Sequence, residues 1–313
     1  MKMKTGDSAK LFLAKDRYLL LTHKNPDGDT LCSAAALCSA LRRAGKTAYL
    51  YPNKEVTEKY RSFVEPYYAP DDYRAAFVIA VDIADDALFP CGYAGKADFC
   101  IDHHPSNTAY ALRSLIAPAK ASCGEIVLQL IKAMHGSITK QEADLLYVAV
   151  STDCGCFVYA NTKADTLRAA AELLDCGADN HTLNVRLFRK VSPARMKIEG
   201  MMYSAMEYYR SGEISLVTIT QEMLSSAGAT EEDLDDISSL AGRAEGSLLS
   251  ITLREQPNGH TRVSLRSSPE VDCSEICAVF GGGGHALAAG CTIQSDPQKA
   301  KEMLLDVIGE VWK

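Results

Sequence analysis

No apolar run in the chain is long enough to span a bilayer, and the start, Met1-Lys2-Met3-Lys4-Thr5-Gly6-Asp7, is not followed by a signal-peptide core ending in small residues. These absences argue against a membrane partner, and the chain is expected to stay in the cytoplasm. Positive charge is also in short supply. A formal net charge of −7 argues against a protein that coats long duplex nucleic acid through a broad basic surface, and leaves room for a small phosphorylated substrate in a local cationic pocket. No Gly-Lys-Ser/Thr follows Gly281-Gly282-Gly283-Gly284, so there is no P-loop, and no strand–Gly-x-Gly-x-x-Gly–helix unit exists for a dinucleotide. The 11 Cys residues contain no paired Cys-x-x-Cys knuckles, only Cys154-x-Cys156 and Cys273-x-x-x-Cys277. That spacing speaks against a structural zinc site and predicts reduced, buried thiols acting as small hydrophobes.

With 313 residues, 47% of them hydrophobic and 23% charged, the chain can fill two cores. Its first half alternates strand candidates over 18–22, 47–51, 77–81 and 98–101 with helical patterns such as 30–44, where Leu31, Ala34, Ala35, Leu37, Cys38 and Leu41 form an apolar face. The alternation predicts an α/β fold whose N-terminal parallel sheet is covered by helices. Further helices are expected over 122–134, 139–150, 163–176 and 181–189, closing a first domain of residues 1–189. A Met- and Tyr-rich amphipathic stretch over 192–209 then lies in a helical linker of 190–212. From 213 to 313 the pattern restarts, with strands over 214–219, 247–254 and 261–266, a helix over 230–240, and the hairpin loop Gln256-Pro257-Asn258-Gly259. This is expected to be a smaller mixed-sheet α/β domain across a cleft from the first.

Four segments of the first half each bring an acid or imidazole to the end of an apolar run. His23-Lys24-Asn25-Pro26-Asp27-Gly28-Asp29 follows Tyr18-Leu19-Leu20-Leu21, with Gly28 expected to let the backbone turn between two acids. Asp82 ends Phe77-Val78-Ile79-Ala80-Val81, the triplet Asp102-His103-His104 ends Phe99-Cys100-Ile101, and Asp153 ends Tyr147-Val148-Ala149-Val150-Ser151-Thr152. Taken singly, each acid reads as a turn former or a helix N-cap. Together they matter more, because strand ends in such a fold converge on one edge, where ligands bind. The candidate metal ligands are His23, Asp27, Asp29, Asp82, His103 and Asp153. Four carboxylates balance two divalent ions, and imidazoles mixed with carboxylates suit manganese or a similar transition metal better than magnesium alone.

With these motifs in this order, the sequence resembles the DHH phosphoesterase family, named for the triplet seen here as Asp102-His103-His104. His23 to Asp29 stand as its first motif, Asp82 as its second, and Thr152-Asp153-Cys154-Gly155 as its fourth; many members carry Thr where this chain has Cys154. Val263-Ser264-Leu265-Arg266-Ser267 and Phe280-Gly281-Gly282-Gly283-Gly284-His285 resemble the DHH-associated C-terminal domain. The resemblance implies a phosphoesterase with two Mn2+ ions. His23, Asp27 and Asp82 would hold one, and Asp29, Asp82, His103 and Asp153 the other. It further implies Asp102 orienting a neighbouring imidazole, His104 contacting the scissile phosphate or assisting proton transfer, and Arg266, Ser267, Gly282, Gly283, Gly284 and His285 gripping substrate in the second domain. Size and layout are most similar to the nanoRNase/pAp phosphatases, whose substrates are short single-stranded oligonucleotides and 3′-phosphoadenosine 5′-phosphate. Cyclic-dinucleotide or linear pApA phosphodiesterases share the layout. An inorganic pyrophosphatase and a non-catalytic nucleotide sensor are the remaining alternatives. A homodimer is compatible with these motifs.

Overall fold

The computed structural model describes residues 1–234 and 236–312, and they divide into two compact units, Met1–Lys190 and Val191–Lys313. In the first, the elements run α1 (Thr5–Ala14), β1 (Tyr18–Leu21), α2 (Gly28–Arg43), β2 (Ala48–Leu50), α3 (Glu58–Val64), β3 (Phe77–Val81), β4 (Phe99–Asp102), β5 (Arg113–Ile116), α4 (Cys123–His135), α5 (Lys140–Asp153), α6 (Ala164–Asp175) and α7 (Asn180–Asn184). Five parallel strands lie in the order β2-β1-β3-β4-β5. Because β1 has β2 on one side and β3 on the other, the chain reverses its direction of travel across the sheet at β1. The carboxyl ends of β1 and β3 therefore border a switch-point crevice, the place where such sheets bind ligands.

One face of the sheet carries the main core, in which Tyr18, Leu20, Ile79 and Phe99 pack against Leu37 and Leu41 of α2, Val127 and Ile131 of α4, and Val148 of α5. The other face is covered without long helices. Leu21, Ala80 and Cys100 lie beneath Tyr51, Phe89, Tyr93 and Tyr110, whose rings meet edge to face at centroid distances of 5.3–5.6 Å. The strand β5, which sequence patterning did not anticipate, is four residues long and opens on a charged Arg113.

Gly28 is not the turn residue its sequence context suggests. It is the first residue of α2, and a Cβ there would lie 2.7 Å from Thr152 Cγ2 and closer still to Oγ1, so the glycine lets the start of α2 approach the end of α5. Gly45 has φ +76 and closes α2, its N–H donating to Arg42 O at 2.9 Å.

In the second unit follow α8 (Pro193–Ser204), β6 (Glu207–Tyr209), β7 (Ile214–Ile219), α9 (Gln221–Ala227), β8 (Leu249–Glu255), β9 (Thr261–Ser267), α10 (Cys273–Val279), β10 (Gly283–His285), β11 (Ala288–Ile293) and α11 (Pro297–Val311). The sheet is mixed, in the order β10-β11-β9-β8-β7-β6, with β7 and β8 parallel and the other pairs antiparallel. Ile276, Leu304 and Ile308 cover one side against Leu216 and Ile251, while Ile198 and Met202 of α8 are buried with Val217 and Ile219. The helix expected over 230–240 is instead two short 3-10 segments, Glu231–Leu234 and Ile237–Arg243; Asp235, within that expectation, lies outside the described residues. The Asp233 carboxylate accepts from Thr230 N at 2.8 Å and from Ser192 Oγ, closing a tight turn at the start of the stretch.

Crowding at Gly28 gives a direct test. Gly28→Ala should destabilise the protein by about 1–3 kcal/mol, and adding Thr152→Ala, which removes the two nearest atoms, should recover part of that loss. Denaturant unfolding of the four members of the cycle measures it; a fully additive cycle would show that Thr152 is not what Gly28 accommodates.

Candidate metal centre

His23, just beyond β1, is fixed through its backbone. Its N–H donates to Thr30 Oγ1 at 3.3 Å, and that hydroxyl donates to Val81 O at 2.8 Å, joining the ends of β1 and β3 to α2. Asn53 Nδ2 donates to His23 O at 3.0 Å and to Thr22 Oγ1 at 3.1 Å. The ring engages Lys24 O through Nδ1 at 2.8 Å, which leaves Nε2 toward Asp27 Oδ1 at 3.7 Å and Asp82 Oδ2 at 3.9 Å. Asp27 is also the N-cap of α2, accepting from Thr30 N at 3.1 Å. Both roles are compatible, since a carboxylate offers about four lone-pair sites.

Asp29, one residue into α2, is fully buried and points at the start of α4. Its Oδ2 accepts from Cys123 N at 2.6 Å, and its Oδ1 from Gly124 N at 2.9 Å and Ser33 Oγ at 3.0 Å. Two amides at a helix N-terminus make a good anion cradle. His103 Nδ1 reaches Lys120 O at 3.4 Å, and its Nε2 lies 3.9 Å from Asp29 Oδ2, 3.4 Å from Asp82 Oδ1 and 3.7 Å from Asp153 Oδ2. Asp153 occupies the last turn of α5.

Asp82 stands between the two groups, presenting Oδ2 to His23 and Oδ1 to His103. It is buried and has φ +60, a left-handed conformation unusual outside glycine, held by its N–H donating to Ile101 O at 2.8 Å. Three sets of donor atoms fall within 4.8 Å of one another: His23 with Asp27 and Asp82, Asp29 with His103 and Asp153, and Asp82 with His103 and His104. All six residues expected as ligands are thus brought together.

Asp102 is different in kind. Fully buried, its Oδ1 accepts from the N–H groups of His103 at 2.8 Å and His104 at 3.2 Å and from His104 Nδ1 at 2.7 Å, while Oδ2 accepts from Asn107 Nδ2 at 2.6 Å. Its hydrogen bonds to His104 and Asn107 overcome burial and hold it below the usual carboxylate range, and it in turn raises the His104 pKa. Sequence reasoning missed Asn53, Asn107 and Asn161, which act on backbone or on other acids; Asn161 Nδ2 donates to Asp153 O at 3.0 Å and to Ala121 O at 3.2 Å.

The electrostatics fit a cation. Burial pushes Asp29 up, helped by the Asp82 and Asp153 charges, and pushes Asp153 up to about 6. Burial would lower the two imidazoles, but Asp27 and Asp82 raise His23 to about 9, and Asp82, Asp29 and Asp153 raise His103 to about 10. Moreover, Asp82 Oδ1 and Asp153 Oδ2 are buried without a hydrogen-bond donor among the described residues, and both face His103 Nε2, at 3.4 and 3.7 Å. Cys154 takes no part in the clusters found among the described residues; burial, then the Asp153 charge, pushes its thiol up to about 12.

In the second unit, β11 lies between β9 and β10, and Ala288 is paired with Arg266 on one side and His285 on the other. This register sets the exposed Arg266 and His285 at one end of the sheet. Ser267 Oγ donates to Val271 O at 2.6 Å, so it offers an incoming phosphate no proton. The Gly281 and Gly282 amides are likewise used, donating to Ala278 O at 3.0 Å and Cys277 O at 2.9 Å to close α10. A Cβ at Gly282 would overlap Cys291 and Gly290 O, and one at Gly284 would lie 2.5 Å from Ala288 O, so these glycines serve the tight hairpin. Gly283 is exposed within β10.

Comparison with known proteins agrees with this layout. Residues 17–150 match the DHH family, N-terminal domain, and residues 216–313 the DHHA1 domain. The bifunctional oligoribonuclease and PAP phosphatase NrnA of Thermus thermophilus is 32% identical over 93% of this chain and 89% of its own length. Its Bacillus subtilis namesake is 27% identical over 90% of each. Among solved structures, an exopolyphosphatase-related protein from Bacteroides fragilis superposes with a TM-score of 0.87 at 21% identity, covering 98% of this chain and 96% of that one. Exonuclease RecJ bound to manganese gives 0.52 at 14% identity, covering 99% and 94%.

The contrast between Asp29 and Asp82 is measurable without metal. An Asn at 29 would turn an NH2 against an amide N–H, so Asp29→Asn should cost about 1–3 kcal/mol in excess chelator. At Asp82, Oδ1 holds no hydrogen bond and Asn tolerates the left-handed backbone, so Asp82→Asn should stay within about 1 kcal/mol of wild type. Chelated Asp29→Asn as stable as wild type would refute the cradle.

Proposed function

The chain belongs to the DHH family and carries its associated DHHA1 domain, and on that premise we propose that it is a manganese-dependent phosphoesterase. In this reading it hydrolyses short oligoribonucleotides to mononucleotides and 3′-phosphoadenosine 5′-phosphate to AMP. The observation that carries the proposal is Asp82 set between the two groups, with Oδ2 toward His23 at 3.9 Å and Oδ1 toward His103 at 3.4 Å. His23, Asp27 and Asp82 would hold one divalent ion, and Asp29, Asp82, His103 and Asp153 the other. When bound, such ions supply Lewis acidity toward a phosphate ester and make water acidic enough to attack near neutral pH.

The chain's own groups complete the chemistry. With Nδ1 pinned 2.7 Å from Asp102, His104 keeps Nε2 for the substrate, where it can hydrogen-bond a phosphoryl oxygen or give a proton to the departing alkoxide oxygen, which leaves as a hydroxyl. Asn107 holds the other oxygen of Asp102, so the ring cannot turn without breaking a buried hydrogen bond. Arg266 supplies a planar guanidinium for a phosphate, and His285 a second polar contact. The exposed β10 hairpin, with Gly283 and Gly284, lets a ligand come close to backbone. No Ser or Cys nucleophile is required.

A substrate screen of purified protein with manganese tests the reading: dinucleotides, longer oligomers, 3′-phosphoadenosine 5′-phosphate, cyclic and linear dinucleotides such as pApA, and pyrophosphate. Short oligonucleotides and 3′-phosphoadenosine 5′-phosphate should be turned over fastest, with activity lost on chelation and restored best by manganese. Dominant hydrolysis of pyrophosphate to orthophosphate, or full turnover in excess chelator, would contradict it. Separately, Arg266→Ala should lower kcat/KM on dinucleotides roughly ten- to hundredfold, the loss of one charge-assisted contact of about 1.5–3 kcal/mol. Metal content should not change. Loss of bound metal in that variant would remove Arg266 from the substrate and make it a support of the fold.

A further inference from the structure

All three members of the Asp29, His103 and Asp153 cluster are held by one short segment, residues 120–124, which joins β5 to α4. Lys120 O receives His103 Nδ1 at 3.4 Å. Ala121 O receives Asn161 Nδ2 at 3.2 Å, and the same amide holds Asp153 O at 3.0 Å. The Cys123 and Gly124 amides hold Asp29 at 2.6 and 2.9 Å. The other cluster is built differently: His23 and Asp27 rest on Thr30, Asn53 and Lys24.

What fixes the 120–124 segment is Glu125, a carboxylate buried to 1% exposure that the chemistry above does not use. Its Oε1 accepts from Ala121 N at 3.1 Å and from Thr166 Oγ1 at 2.9 Å, and Lys120 Nζ lies 3.0 Å from its Oε2. Ser122 Oγ accepts from Glu125 N at 3.3 Å. One buried acid thus holds the Lys120–Ala121 peptide by its N–H, and the Lys120 ammonium, just ahead of the α4 amides.

We infer that Glu125 is a positioning residue that sets the affinity of the Asp29, His103 and Asp153 site for its ion and leaves the His23, Asp27 and Asp82 site alone. The inference rests on the two-site reading above. It acts through the segment: when Glu125 loses its charge, the Lys120 pair is lost, and the Lys120–Ala121 stretch, whose carbonyls meet His103 and Asn161, is held less firmly. Outer partners of metal ligands typically change affinity by roughly ten- to hundredfold when removed.

Manganese titration of the full-length, chelator-stripped protein, following free Mn2+ by electron paramagnetic resonance, gives a readout independent of turnover. Wild type should bind two ions. Glu125→Gln should weaken one site roughly ten- to hundredfold and leave the other within about twofold. In an Asp27→Asn background, which disables the first cluster, the remaining site should be the one that weakens. Thr166→Val removes a single donor to Glu125 without touching its charge, and should weaken the same site to a smaller degree; it decides the matter if Glu125→Gln does not fold. Equal weakening of both sites would mean that Glu125 only supports the domain, and unchanged affinities would remove it from the metal centre; either result overturns the inference while the two-ion reading survives. A wild type that binds fewer than two ions overturns both.

Discussion

Carboxylates crowded at one sheet edge repel one another, and the first unit resists that repulsion with neutral donors fixed by its secondary structure. Asp27 is anchored by an amide of the helix it caps, Asp29 by two amides and a hydroxyl, and Asp102 by two amides, an imidazole and Asn107. Helix N-termini and turn amides suit this task because their partial positive charge is already oriented. Asp82 and Asp153 each keep one buried oxygen without a donor. An unsatisfied buried acceptor costs about 1–3 kcal/mol, and these two oxygens both face His103 Nε2, at 3.4 and 3.7 Å, where a cation would supply the missing partner.

Backbone geometry serves the same end. Asp82 sits at φ +60, a conformation that persists only when its surroundings enforce it, here the bond from its own N–H to Ile101 O at 2.8 Å. That bend turns its carboxylate into the space between His23 and His103. The glycine at 28 brings the start of α2 against Thr152, next to Asp153, so that acids from the helix after β1 and from the end of α5 reach a common site. The switch point in strand order makes the crevice, and these two local exceptions fill it.

Much of this was legible in the sequence, for a physical reason. Strands buried on both faces read as short apolar runs, and a polar residue ending such a run must lie at the sheet edge, so His23, Asp82, Asp102 and His103 declare themselves. Elements defined by long-range partners do not. Asn107, Asn161 and Glu125 are single polar residues in loops or first turns, and nothing local to them says which carbonyl or carboxylate they meet. The role of Gly28 was misread because a glycine between two acids suggests a turn, whereas the demand on it comes from Thr152. The helix expected over 230–240 starts as expected, with Thr230 N–H on the Asp233 carboxylate, but Asp236 at φ +51 is left-handed and breaks the run into two 3-10 segments. Family resemblance supplied the second unit's Gly-rich hairpin, but not that the Gly281 and Gly282 amides are already spent on the end of α10.

The central claim is that Asp82 is shared by two cation sites of different construction. Anomalous diffraction at the manganese edge from crystals grown with Mn2+ tests it most directly. The account predicts two peaks, one bounded by His23, Asp27 and Asp82 and the other by Asp29, Asp82, His103 and Asp153, with one Asp82 oxygen toward each. A single peak, or two peaks with Asp82 turned away from either, would contradict it.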